Sequence, residues 1–309
     1  MMTFSLSLSS WGALDIVCIL LVAGAAMLFV MGLMAGHTAR VERRSAFAYF
    51  GRHLTRLGVG MGFLGYAGSL TVFFILTSAL QLEEGVSLWN DAFWLQAGGG
   101  ILMLLLLVMV QKRDLWRTVA VCGAVGLWGL FPVWKAAMLG EYFPDAVSPE
   151  LPELAGLIVA GALNDPGTLL LNIGLFALGG LMVSGGLALV YLVMRRGKDE
   201  YGRDYYRMAA VVCARRAAWG AGLLAVSLGL QFGMAVADGD VDSVEWAYVV
   251  LGVLEGSLLL ALACWLAVAR SENPMRFKSL MLAGAALLAV FAVSLAETFS
   301  LSPRFLGLL

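Results

Sequence analysis

At 309 residues, with 61% hydrophobic and only 13% charged positions and a mean hydropathy of +0.88, the chain lies far from soluble globular domains, in which about a quarter of residues are charged. The formal net charge of −1 gives no basic excess, so no nucleic-acid partner is expected. The composition excludes a soluble enzyme and a disordered chain, and leaves a multi-pass protein whose first partner is the lipid bilayer.

A spanning helix needs about 20 mainly apolar residues, and eight stretches qualify, roughly 12–36, 54–80, 93–110, 115–138, 167–194, 208–236, 246–269 and 278–299. The opening MMTFSLSLSSWGALD has no Lys or Arg before its apolar run and no small-residue cleavage site after it, so the first span is expected to be retained. His37 ends that span and His53 opens the next. Antiparallel neighbours bring both to one face, where two imidazoles on facing helices could ligate one haem b iron, or remain solvated or phosphate-facing. In the second span GVGMGFLG (58–65) contains G-x-G-x-x-G, yet no strand precedes it as dinucleotide binding requires. Gly58, Gly62, Gly65 and Gly68 instead read as a small-residue face for close helix packing.

The connection 139–166 contains Pro144, Pro149, Pro152 and Pro166 and divides the chain into halves, 1–138 and 167–309. Within it LAGLIVAGAL (154–163) is too short to span and suits an interfacial segment. Each half is expected to be a four-helix bundle with short antiparallel links. The halves also align internally: Arg56 falls on Arg216, Gly60 on Gly220, Gly62 on Gly222, and Gln96 opposite Glu255. The expected fold is therefore all-α, with eight transmembrane helices in two tandem bundles related by duplication.

Arginine and lysine concentrate in one set of loops, including Arg40, Arg43, Arg44, Arg52, Lys112, Arg113, Arg195, Arg196, Lys198, Arg270 and Lys278. The positive-inside rule makes these cytoplasmic and turns both termini outward. Cys18, Cys122, Cys213 and Cys264 lie apart with no C-x-x-C pair, so no metal site is expected and they read as packing residues.

Ionisable groups within spans carry the most functional information, because a charge at the bilayer centre costs about 2.5–3.5 kcal/mol on insertion scales. Glu255 lies near the middle of the seventh span, without an obvious basic partner at its depth. Desolvation favours the neutral form of a carboxyl group, so Glu255 is the candidate for proton handling. Lys135, Glu297 and Asp15 lie about a turn inside the outer face, with Trp134 beside Lys135. They read either as a structural charge group or as the wall of a quinol site.

The run YLVMRRGKDEYGRDYYR (191–207), the helix ending LGLQFGM (228–234) and VLEGSLLLALACW (253–265) together resemble the first four helices of cytochrome bd quinol oxidase subunit I. That family has a T-G-K-x-x-Y loop, a helix ending E-F-Q-F-G and an F-L-E-S helix whose glutamate serves a proton route, which the resemblance carries onto Glu255. The likeness covers about 167–300 and, through the repeat, more faintly 12–138. It departs where the family's haem-ligating histidine falls near Asn172 and its second glutamate near Ala247, with Glu245 only close by. The outline is also similar to haem-free, quinone-reactive membrane subunits of the polysulfide reductase type.

What these resemblances imply is a subunit of a respiratory electron-transfer complex in a bacterial inner membrane. It would bind quinol or menaquinone and pass electrons to or from a periplasmic cytochrome or iron–sulfur subunit beside other membrane subunits. The alternatives are a haem-free anchor without its own substrate site, and a solute transporter.

Overall fold

The computed structural model describes residues 2–84, 91–110, 116–124, 166–198, 201–237 and 245–301, with side chains over most of the central part of each stretch. The described residues are helical and contain no strand. Helix α1 runs Met2–Glu42, α2 Ser45–Glu84 and α3 Asp91–Met109; α4 is described over 116–124. In the second half α5 is Pro166–Arg195, α6 Arg203–Ala237, α7 Glu245–Arg270 and α8 Lys278–Leu301, with a 3-10 turn at Pro274–Arg276 before α8.

Among the described residues five helices are long and apolar enough to cross a membrane: Val17–Glu42, Phe176–Arg195, Arg203–Leu230, Val249–Arg270 and Lys278–Leu295. The stretches at 54–80, 93–110 and 115–138 are helical where described, and 125–138 lies outside the described residues, as does the segment 154–163. Helices α1 and α2 extend past the apolar runs because their polar ends keep their backbone hydrogen bonds internal. Arg40, Arg195 and Arg270 each stand in the last turn of a helix, where a cation complements the negative end of the helix dipole. Between α1 and α2 the chain reverses over two residues, with Arg43 in the left-handed region at φ 52°.

Helices α5, α6, α7 and α8 form a closed ring, each packed on its chain neighbours and α8 returning to α5. In the other half α1 packs along α2, α2 touches α3, and α1 also lies against α5 and α8. One hydrophobic core therefore runs through both halves, from Phe29 and Met31 to Met182, Leu189 and Trp265.

Small residues set these distances. A Cβ at Gly180 of α5 would lie 2.6 Å from the Ala23 carbonyl oxygen of α1, so the backbones meet there. Across α5 and α6, a Cβ at Gly185 would stand 2.7 Å from both Ala217 N and Cys213 O, and one at Gly220 2.8 Å from Leu178 O. The expected face on α2 is used in the same way: Gly58 meets Phe29, Gly62 meets Leu107 and Ala25, Gly65 meets the Cys18 carbonyl, and Gly68 meets the Cys18 sulfur. Trp265, fully buried, fills the space opened by Gly186 and Gly284. All four cysteines are free; Cys18 and Cys213 are buried in the packing, whereas Cys122 is exposed.

These contacts predict opposite signs for two glycine substitutions. Gly180→Ala forces a methyl into the Ala23 carbonyl and destabilises by about 1–3 kcal/mol, the usual cost of overpacking. Gly60→Ala, exposed and with nothing within 4 Å of its Cβ, is neutral or stabilising by up to about 1 kcal/mol through helix propensity. Thermal unfolding of the two purified variants in the same detergent measures the difference.

Candidate functional site

Two places in the fold gather chemistry-bearing side chains, one at the arginine-rich end of the helices and one near their middle.

At the arginine-rich end, the first turns of α2 approach the last turn of α5 and the first of α6. His53, on α2, is buried with 4% of its surface exposed. Its Nδ1 is hydrogen-bonded to the Tyr205 hydroxyl of α6 at 2.7 Å, a link between residues 152 positions apart. Three phenol rings stand edge-on to the imidazole: Tyr201 at 5.1 Å between centroids, and Tyr191 and Tyr205 at 5.9 Å each. Tyr49 packs on Tyr201, and Tyr206 packs on Tyr205.

Arginines fasten the rim of this cluster. Arg195 donates from Nε to the Tyr191 hydroxyl at 3.2 Å, the Tyr206 hydroxyl donates to the Arg195 carbonyl, and the Arg52 guanidinium lies 4.7 Å over the Tyr49 ring. Edge-to-face rings and cation–π contacts are directional, so the cluster holds α2 to the second half in one register. Beside it, Arg196 donates to the Met275 carbonyl and ties the end of α5 to the turn before α8.

Near the middle of α7, Glu255 is half-buried and its Oε1 is buried with no hydrogen-bond partner among the described residues. It faces α6 at Gly229, where a Cβ would stand 3.7 Å from Oε1. A methyl at that distance would be in ordinary van der Waals contact, so α6 lies directly against the carboxyl group at Gly229. Arg216, also on α6, has a buried Nη1 without a hydrogen-bond partner among the described residues. It lies thirteen residues before Gly229, about 20 Å along the helix at 1.5 Å per residue, and so does not neutralise Glu255. Among the described residues no group of three or more His, Cys, Asp or Glu could hold a metal ion.

The residues expected from sequence to form sites separate as follows. Glu255 stands at mid-helix, its Oε1 without a hydrogen-bond partner among the described residues. Lys135 and Trp134 lie outside the described residues, and the side chains of Asp15 and Glu297 are likewise outside them, although both positions are helical. His37 and His53 do not share an environment: His37 is exposed on α1, whereas His53 turns to the second half and its tyrosines. A porphyrin between the two imidazoles would have to displace rings packed at 5.1–5.9 Å from His53, so the residues as placed do not fit it.

The tyrosine cluster is what sequence reasoning missed. Five of the chain's eight tyrosines take part, and four of them fall within 191–207, so the crowding of one aromatic type in one short stretch was the available signal. Comparison with protein-family models, with curated proteins and with solved structures finds no match for this chain.

The His53–Tyr205 bond predicts a measurable coupling. Tyr205→Phe leaves the buried Nδ1 of His53 without its partner and destabilises by about 1–3 kcal/mol. His53→Ala combined with Tyr205→Phe costs less than the sum of the single changes, by on the order of 1 kcal/mol, because the second change has no bond left to break. Unfolding midpoints of the four proteins in the cycle give that value directly.

Proposed function

We propose that this chain is a multi-pass subunit of a respiratory electron-transfer complex, in which Glu255 exchanges a proton of quinol chemistry while a cofactor-bearing partner exchanges the electrons. The observation that carries the reading is the carboxyl group on α7 whose buried oxygen has no hydrogen-bond partner among the described residues and which faces α6 at Gly229. An unpaired carboxyl inside a membrane helix is expensive, and such groups mark proton or substrate routes. The resemblance of 191–207, 228–234 and 253–265 to cytochrome bd subunit I assigns the same residue to the same task.

In this reading all eight apolar stretches span the bilayer as two related four-helix bundles, the arginine-rich ends lie in the cytoplasm and both termini face outward. The setting is a bacterial inner membrane. Quinol oxidation releases two electrons and two protons; the electrons pass to a periplasmic cytochrome or iron–sulfur subunit, and Glu255 accepts and relays the protons one at a time. Lys135, Trp134, Glu297 and Asp15 form the outer-face site for the quinol or menaquinol headgroup. The protein supplies position and proton exchange, and the redox step belongs to the bound cofactor of the partner. No step runs through a haem on His37 and His53.

Glu255→Gln keeps the shape and hydrogen-bonding capacity of the side chain but cannot bind and release a proton at neutral pH. Quinol-dependent reduction of the partner's cofactor is expected to fall about 100-fold in the purified complex, within the range that general acid–base groups contribute. An unchanged rate with normal assembly removes the proton role from Glu255, and an unchanged rate on mutating Lys135 or Glu297 as well leaves the chain as an anchor without a substrate site. The topology is tested separately: alkaline phosphatase fused after Leu309 is expected to be active, and a green fluorescent protein fused there dark.

A further inference from the structure

We propose that the groove between the start of α6 and the end of α7 is a binding site for the headgroup of a zwitterionic phospholipid, a phosphodiester that carries a primary ammonium. The groove has a volume of about 490 Å³, within the span of about 300–1,000 Å³ found for small-ligand sites. From α6 it takes Asp204, Arg207, Met208, Val211, Val212 and Arg215, whose spacing of i, i+3, i+4, i+7, i+8 and i+11 is one face of a helix. From the last turn of α7 and the residues after it come Arg270 and Glu272. Three guanidinium groups and two carboxylates therefore share one groove.

Such groups would ordinarily neutralise one another. Asp204 and Arg207 stand at i and i+3, a spacing at which opposite charges on a helix attract. Among the described residues, however, none of the five charged groups is in an ion pair. Both signs are left for a ligand, and a ligand that carries both satisfies them together. An anionic headgroup would meet the arginines but leave Asp204 and Glu272 facing its phosphate. A choline headgroup has the right charges, yet its quaternary nitrogen has no N–H to donate to a carboxylate, whereas a primary ammonium has three.

Position and lining favour a lipid over a soluble ligand. The groove lies where the span Arg203–Leu230 begins and the span Val249–Arg270 ends, at the arginine-rich face, which is the depth of lipid headgroups. Met208, Val211 and Val212 are half-buried and give it an apolar wall between its charged groups. Asp204 and Arg215 stand about 16 Å apart along α6 at 1.5 Å per residue, long enough for a headgroup together with the start of its acyl chains. Arginine suits the phosphate end, because a guanidinium matches phosphate oxygens in pairs.

The test exposes the full chain in mild detergent to equal amounts of phosphatidylethanolamine, phosphatidylglycerol and phosphatidylcholine, and counts retained lipid by native mass spectrometry. The wild-type protein is expected to retain one phosphatidylethanolamine about tenfold over either competitor, the worth of one charge-assisted hydrogen bond. Asp204→Asn/Glu272→Gln, which leaves the three arginines in place, is expected to reverse the order and favour phosphatidylglycerol. Arg207→Gln/Arg270→Gln loses selectivity altogether, and Arg276→Gln, at the same end but outside the groove, keeps it in full. A reversed preference does not arise from loss of fold, so the carboxylate variant separates the site from the scaffold. Tight calorimetric binding of glycerophosphoethanolamine, the headgroup without acyl chains, together with equal retention of the three lipids moves the site to a soluble ligand and overturns the lipid assignment. Equal retention without such binding overturns the proposal, as does a wild-type preference for phosphatidylglycerol or a phosphatidylethanolamine preference that survives in the carboxylate variant.

Discussion

The contact on which the rest of the molecule depends is the backbone approach of α1 to α5 at Ala23 and Gly180. In a lipid environment burial of apolar side chains does not by itself drive helices together, because the bilayer is equally apolar, and close van der Waals packing over small residues has to do so. Here the seam joins the pair α1 and α2 to the ring of α5 to α8, and the core continues through it without interruption. The same device recurs at Gly185 and Gly220 between α5 and α6 and at Gly58 and Gly65 between α1 and α2. Helix positions in this protein are therefore set by where side chains are missing as much as by where they are present.

That seam determines which polar groups can meet. With α1 held against α5, α2 lies within reach of the end of α5 and the start of α6, and His53 finds Tyr205 and the surrounding phenols. The aromatic contacts continue from His53 through Tyr201 and Tyr49 to Arg52. Two residues before His53, α2 also meets α1 backbone to backbone, where a Cβ at Gly51 would stand 3.0 Å from the Gly32 carbonyl. Away from this end the described polar groups are few. Ser184 and Ser257 satisfy their hydroxyls on backbone carbonyls within their own helices. Among the described residues Glu255 Oε1 has no such partner, a state it shares with the Tyr66 hydroxyl and the Trp265 indole nitrogen, and it alone of these three is a carboxyl group.

How far the fold could be read in advance varies with the kind of interaction. Apolar length located the helices, and the glycine spacing at 58–68 located a packing face, because both depend on residues close in sequence. The ends were less legible: α1 and α2 continue into polar sequence, and the reversal between them places Arg43 in a conformation that glycine usually takes. Glu255 could be singled out from its depth alone. His53 could be singled out as a rare residue, yet its partner could not, since Tyr205 is 152 residues away and meets it only after the two halves pack.

The central claim is that Glu255 changes protonation when quinol is oxidised. Redox-induced infrared difference spectroscopy of the assembled complex reads this most directly, through the C=O stretch of a protonated carboxyl group. The account predicts a carboxyl band in the wild-type difference spectrum on adding quinol that disappears in Glu255→Gln, while the bands of the partner's cofactor persist. A carboxyl band of unchanged position and size in the variant would contradict it.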